Sequence, residues 1–308
     1  MRLCADIGGS FVDMGIVDRS GAVSDRARFP TPLHDWDAFV ALFRDTFAAH
    51  AEMLAPDSPL CLALAGLIDP NTGALTSANI PSLHGRAVVA ELSAAIGRPV
   101  SVINDADAFA LAEATLGAGQ GHRRVFGIIL GTGVGGGLVE DGQVLIGTHG
   151  IGGEWGHGAV MVDSPIAPGS VPVFACGCGR IGCLDTIGGA RGLERLHQGL
   201  HQKVLDSRAI IDAWQAGDVD AGRTVDCFID LLSGPLAMLV NTVGASILPV
   251  GGGLSNSAPL IARLDKAVRA AILRKTDSPI VVPGQSGAEP GLIGAAWLGL
   301  EKVGNTHG

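Results

Sequence analysis

The 308-residue sequence predicts an α/β protein built from two similar lobes. Short apolar runs bounded by glycine or proline alternate with longer stretches whose apolar residues recur every three to four positions, as buried strands interleaved with helices do. An opening pattern of strand, glycine loop, strand, Asp-containing turn and strand recurs about 123 residues later. A polar, glycine-rich connection at residues 117–124 separates the two occurrences.

In the first half, Leu3-Cys4-Ala5-Asp6-Ile7 reads as a buried strand ending in Gly8-Gly9-Ser10. Residues 14–17, the turn Asp18-Arg19-Ser20-Gly21 and Ala22-Val23 read as a hairpin. Residues 36–50 have helical spacing, residues 60–65 form a buried strand, and Asp69-Pro70-Asn71-Thr72-Gly73 is a turn. A helix over 85–96, a strand over 100–103 and a helix over 106–116 follow. The second half opens with a strand at 126–130, the loop Gly131-Thr132-Gly133, a strand at 137–139, the turn Asp141-Gly142 and a continuation at 144–146. Beyond Leu184 the chain is helical, then gives a strand at 247–250, the loop Gly251-Gly252-Gly253 and an apolar helix at 291–300.

Composition narrows the function. Hydrophobic residues make up 47% of the chain and charged residues 17%, which excludes disorder. The net charge of -9 argues against a broad electrostatic grip on nucleic acid or an anionic membrane. Residues 231–262 carry no charge, yet Pro235, Asn241, Gly244, Pro249 and the Gly251-Gly253 run favour a buried helix followed by a strand over a membrane span. Asp6 breaks any apolar signal core, so a soluble, cytoplasmic protein is expected.

Glycine is in excess, with 46 residues, and 23 of them lie between Gly117 and Gly192. The Gly133–Gly135 region invites a dinucleotide-binding reading, but that motif requires a helix after the loop and a hairpin follows here. No Gly-Lys-Ser/Thr run makes a P-loop. Glycine hairpins merely permit tight turns, or else expose backbone N–H groups that cradle phosphate; two equivalent loops favour the second use. Asp6, at the mouth of the first loop, suits either a metal ion bridging phosphates or a capped turn.

Ile103-Asn104-Asp105-Ala106-Asp107 lies where a strand becomes a helix. Asp105 there is either the helix cap or a general base, with Asn104 orienting a substrate hydroxyl. Cys4, Cys61 and Cys227 stand singly in apolar surroundings and read as core residues. Cys176, Cys178 and Cys183, with His157 nineteen positions before the first, can complete a tetrahedral Cys3His zinc site. Four protein ligands leave no open position, so the zinc would be structural.

Taken in order, Asp6-Ile7-Gly8-Gly9-Ser10, Asn104-Asp105-Ala106-Asp107, Gly131-Thr132-Gly133, Gly153-Glu154-Trp155-Gly156-His157, the CxCGxxGC run ending at Cys183 and Gly251-Gly252-Gly253 resemble the ROK family of bacterial sugar kinases (repressors, open reading frames and kinases) over nearly the whole chain. Within it, Asn79-Ile80-Pro81, Gly253-Leu254-Ser255-Asn256 and Gly294-Ala295-Ala296-Trp297-Leu298 look most like N-acetylglucosamine kinases. The resemblance implies an actin-like (ribonuclease H-like) fold of two α/β lobes around a cleft, with ATP, Mg2+ and structural zinc. Residues 1–117, joined by the last helix at 291–308, would form one lobe and residues 118–290 the other.

Carried over, Asp105 would be the catalytic base, and Gly66, Asn79, Asn104, Glu154, His157 and Asp185 would line the sugar with it. Asp6, Gly8, Gly9, Ser10, Gly131, Thr132 and Gly133 would face the phosphates and their metal, with Gly252 and Gly253 near the adenosine. His157 would give one ring nitrogen to zinc and the other to the sugar. Two positions depart from the family pattern: Ser10 replaces the usual Thr and keeps its hydroxyl, and Asp185 replaces the usual Glu. One methylene less shortens the reach of Asp185 to the C1–C2 side of the sugar. The implied reaction is ATP-dependent phosphorylation of a hexose 6-hydroxyl, N-acetyl-D-glucosamine first, with glucose, fructose and N-acetylmannosamine as alternatives and a homodimer as the expected assembly. A sugar-responsive repressor is the alternative of a different class; a glycine loop that begins at residue 8 leaves no room before it for a DNA-binding module.

Overall fold

The computed structural model describes residues 1–77, 79–158 and 164–304, which form two units, Met1–Gly117 with Gln143–Gly152 and Ser286–Gly308, and Ala118–Gly142 with Gly153–Gln285.

Unit 1 is organised by β1 (Arg2–Ile7), whose apolar residues are almost wholly buried. It pairs antiparallel with β2 (Phe11–Val17), which pairs antiparallel with β3 (Val23–Pro30). On its other side β4 (Leu60–Leu64) and then β7 (Val100–Asn104) add in parallel, giving the order β3-β2-β1-β4-β7. The short β5 (Leu67–Ile68) and β6 (Leu75–Thr76) make a separate two-stranded flap. Helix α1 (Trp36–Ala49) covers the sheet with Phe39, Val40, Phe43 and Phe47, three of them four residues apart on one face. Asp35 caps it by accepting the Ala38 N–H at 2.9 Å. Helix α2 (Val88–Ile96) starts later than the expected residue 85, because Gly85 has φ +78° and belongs to the preceding turn. Helix α3 (Asp105–Leu116) is buried around most of its circumference over its first nine residues. The last helix, Pro290–Gly304, packs against α3, β1 and β4; the expected helical residues 305–308 lie outside the described residues.

Unit 2 repeats the opening. Strand β8 (Arg124–Leu130) pairs antiparallel with β9 (Val134–Glu140), and the Asp141-Gly142 turn leads to β10 (Gln143–Val144). Its own sheet runs β9-β8-β11-β12, with β11 (Leu248–Gly251) and β12 (Val281–Pro283) parallel to β8. The helices are α4 (Asp185–Gly188), α5 (Ala190–His201), α6 (Ser207–Gln215), α7 (Val219–Val243) and α8 (Ala258–Ala271), and the Pro290–Gly304 helix of unit 1 is α9. Pro235 sits inside α7 without ending it, between the buried Leu231 and Leu232 on one side and Leu236 and Ala237 on the other. Among the described residues α7 alone is long and apolar enough to cross a membrane, and half of its apolar window is buried in unit 2.

Each unit has its own apolar core, and Cys4, Cys61 and Cys227 are fully buried. The boundaries differ from the expected 117/118 and 290/291 division in two places. Residues 143–152 belong to unit 1, because Gly150 backs onto Ile68 so closely that a β-carbon there would lie 2.5 Å from the Ile68 carbonyl oxygen. Residues 286–290 also belong to it, because Ser286 gives its N–H and its hydroxyl to the buried Glu113 at 2.8 and 2.6 Å.

Candidate active site

In unit 1 the first glycine turn links β1 to β2, closed by Gly8 N–H donating to the Phe11 carbonyl at 2.9 Å. The buried Thr31 fastens it from β3's end, its hydroxyl donating to the Gly8 carbonyl at 2.7 Å and its N–H to Ser10 at 3.0 Å. Thr31 belongs to no motif, and only the fold reveals this contact. Gly9 lets the turn approach Asn79, whose Cβ would be 3.3 Å from any β-carbon added there. Asp6 is the last but one residue of β1, with Gly291 of α9 packed so tightly that a side chain would collide with its carboxylate. Burial first, and then the charges of Asp105, Asp13 and Glu289, push the Asp6 carboxyl up to about 7. A carboxylate with such unbalanced negative surroundings fits a cation, and Asp6 is the group that would hold Mg2+.

Asn104 and Asp105 stand at the junction of β7 and α3. Asn104 is the N-cap: its side-chain oxygen accepts from Ala106 and Asp107 N–H at 2.8 and 3.3 Å, while its amide donates to the Gly66 carbonyl at 3.0 Å. Gly66 has φ +154°, and a β-carbon would fall 2.8 Å from the Thr76 carbonyl oxygen, so this position needs glycine. Capping by Asn104 leaves Asp105 in the first helical turn, its Oδ1 2.9 Å from the Ala106 N–H. Burial raises its pKa against the lowering pull of that N–H. A 380 Å³ cavity of the same unit is lined by Gly66, Ile68, Asn104, Asp107, Ile146 and Gly150, among others.

In unit 2 the Gly131-Thr132-Gly133 loop joins β8 to β9, with Gly131 N–H donating to the Gly133 carbonyl at 3.1 Å. Two neighbours fasten it: Asp185 Oδ1 accepts the Val134 N–H at 2.9 Å, and Ala190 N–H donates to the Gly131 carbonyl at 2.7 Å. Trp155 anchors the Glu154–His157 segment to β9 by donating from Nε1 to the Gly135 carbonyl at 2.9 Å. His157 then faces two ways, with Nε2 3.4 Å from Glu154 Oε2 and Nδ1 3.7 Å from Cys176 Sγ. The ligand atoms of His157, Cys176, Cys178 and Cys183 all lie within 4.8 Å of one another, and three thiols with an imidazole suit zinc. The Arg180 backbone N–H, with smaller contributions from the neighbouring thiols, draws the exposed Cys178 thiol down to about 6.

Gly252 has φ +81° and brings the end of β11 against the end of β8, where a β-carbon would be 2.5 Å from the Leu130 carbonyl. Gly253 lines a 340 Å³ cavity with Ala190, Ser207, Arg208, Ile211 and Ser257. The α6 contributors carry no recognisable pattern in the sequence beyond the helix-start signal of Asp206, which caps α6 through the Ala209 N–H.

Comparison with known proteins agrees over the whole length. The chain is 35% identical over 294 residues to N-acetylgalactosamine kinase AgaK of Shewanella sp. (strain ANA-3), covering 96% of this chain and 95% of that one. It is 33% identical over 296 residues to N-acetyl-D-glucosamine kinase of Salmonella gallinarum, at 96% and 98% coverage. Among solved structures, a ROK hexokinase from Thermus thermophilus superposes with a TM-score of 0.83 at 31% identity, covering 99% of each chain. A ROK family glucokinase from Streptomyces griseus, in complex with glucose and AMPPNP, gives 0.73 at 28% identity, with 96% and 98% covered. The ROK family sequence profile itself matches residues 2–302, and the chain belongs to the ROK family, with its actin-like sugar kinase fold of mixed α/β sheets.

Proposed function

We propose that the chain is an ATP-dependent sugar kinase that phosphorylates the 6-hydroxyl of N-acetyl-D-glucosamine. The observation that carries this reading is the placement of Asp105 in the first turn of α3, beside the Asn104 cap that holds the Gly66 carbonyl. Full-length similarity to N-acetylhexosamine kinases supports it.

Phosphoryl transfer asks a protein mainly for positioning and for neutralisation of charge. Asp105 takes the proton from the sugar hydroxyl as its oxygen attacks the γ-phosphorus and ADP leaves. Gly66, Asn79 and Asn104 of unit 1, and Glu154 and His157 of unit 2, would line the sugar. The Gly8-Gly9-Ser10 and Gly131-Thr132-Gly133 turns would receive the phosphates on the backbone N–H groups of Gly9, Ser10, Thr132 and Gly133, those of Gly8 and Gly131 being spent in closing the turns. Gly252 and Gly253 would lie at the adenosine, Gly253 lining the unit 2 cavity with Ser207 and Arg208. Mg2+ at Asp6 would supply neutralisation of phosphate charge. His157, Cys176, Cys178 and Cys183 would hold a structural zinc that fixes the ring of His157. ATP as donor fits a cytoplasmic enzyme, and we carry the homodimer forward as its assembly, to be tested by light scattering.

N-Acetyl-D-galactosamine is a second reading, favoured by the 35% identity to a kinase of that name. One experiment separates the two: ATP consumption coupled to ADP detection, run across hexoses and N-acetylhexosamines, with the phosphorylated carbon located by NMR. The expected result is the highest kcat/KM with N-acetyl-D-glucosamine. A higher value with N-acetyl-D-galactosamine would select the second reading, and failure of every sugar while a non-sugar acceptor works would overturn both.

A further inference from the structure

We propose that Asp185 is a positioning residue that clasps the Gly131-Thr132-Gly133 loop; the inference rests on the kinase reading above. The family resemblance places Asp185 among the sugar-lining residues. Its side chain here is engaged within unit 2. Oδ1 accepts the Val134 N–H at 2.9 Å, and Oδ2 lies 3.7 Å from Cys176 Sγ. Both carboxylate oxygens are therefore directed into unit 2, at the end of the loop and at the thiol cluster.

The backbone around Asp185 is fixed by the same set of contacts. Its own N–H donates to the Gly156 carbonyl at 2.9 Å. Gly133 has no room for a side chain because the Asp185 carboxylate fills that space. Four residues on, a β-carbon at Gly189 would sit 2.6 Å from the carbonyl oxygens of Thr132 and Gly133, and Ala190 N–H donates to the Gly131 carbonyl. Residues 185–190 thus touch each residue of the loop. A Gly-Thr-Gly segment left alone samples many backbone conformations, and a loop whose N–H groups are to meet phosphate gains affinity by being fixed beforehand. A charged acceptor on the next N–H along, Val134, is a strong way to fix it. The shorter arm of Asp relative to Glu keeps the carboxylate at that amide.

The test compares Asp185→Ala and Asp185→Asn with the wild type in three measurements. These are calorimetric affinity for a non-hydrolysable ATP analogue, calorimetric affinity for the sugar, and hydrogen exchange at the Val134 amide. In the wild type, Val134 should exchange slowly. In Asp185→Ala, nucleotide affinity should fall on the order of tenfold and Val134 exchange should accelerate. Asp185→Asn, which keeps a side-chain oxygen as acceptor, should recover most of the loss. A fall in sugar affinity with nucleotide affinity intact would overturn the proposal, as would unchanged values for both. Should Asp185→Ala fail to fold, Asp185→Asn and the wild type decide: unprotected exchange of Val134 in the wild type overturns the clasp, and slow exchange with near-normal nucleotide affinity in Asp185→Asn upholds it. A wild type that binds no nucleotide at all would sink the kinase reading instead, and the exchange measurement distinguishes that failure from failure of the clasp.

Discussion

Asp6 and Asp105 share a neighbourhood, and their burial has opposite consequences for stability and for catalysis. Asp6 keeps its proton up to about pH 7 in the folded chain, against its ordinary 3.8. Between those values the folded state binds more protons than the unfolded one, so stability falls as pH rises, and the full penalty is present above pH 7. Asp6→Asn removes it. The variant should melt at least about 4 °C higher than wild type at pH 8 without Mg2+, with the gap closing as pH drops towards 4. A gap independent of pH in thermal melts would contradict this. Millimolar Mg2+ should narrow the gap at pH 8 by stabilising the wild-type carboxylate. Asp105→Asn keeps the shape of the site and loses the base. Its kcat should drop about 10²- to 10⁴-fold while calorimetry still detects sugar binding, and substantial residual turnover would remove Asp105 from the role of base.

At the scale of elements, α9 and the thiol knuckle carry separate burdens. A β-carbon at Gly294 of α9 would collide with the Ala108 carbonyl of α3, a rigid backbone partner. Gly294→Val should cost at least about 2 kcal/mol in chemical denaturation, and a neutral result would mean that the α3–α9 contact yields easily. A zinc held by the knuckle would tie it together. Cys178→Ser should purify with little or no zinc, where the wild type should hold one per chain by metal analysis, and it should melt lower. A metal-free wild type folding normally would refute the structural role. Most of these elements were legible in the sequence, because buried strands and glycine loops announce themselves by apolar runs and by spacing. The sequence left Asp105 as either the helix cap or the base, and only the backbone at the end of β7 makes Asn104 the cap instead. Thr31 and the α6 wall of the unit 2 cavity were illegible for another reason: their contacts are with residues distant in sequence and follow no fixed spacing.

For the whole molecule, the repeat visible in the sequence corresponds to two sheets with the same antiparallel hairpin followed by parallel strands. The path of the chain was harder to read. Residues 143–152 leave unit 2 and return to it, because Gly150 fits against Ile68, a pairing that no local pattern encodes. At the site, sequence likeness fixes the place of Asp185 in a motif, while its contact with the Val134 N–H comes only from the fold. The placement of α9 also has a consequence for synthesis. The first unit needs α9 against α3, β1 and β4, yet α9 is translated only after unit 2 has been finished at residue 285. At about 5–20 residues per second on the ribosome, the first sheet waits roughly 10–40 seconds for its final helix. The unit whose sheet is translated first is closed by a helix made after the other unit.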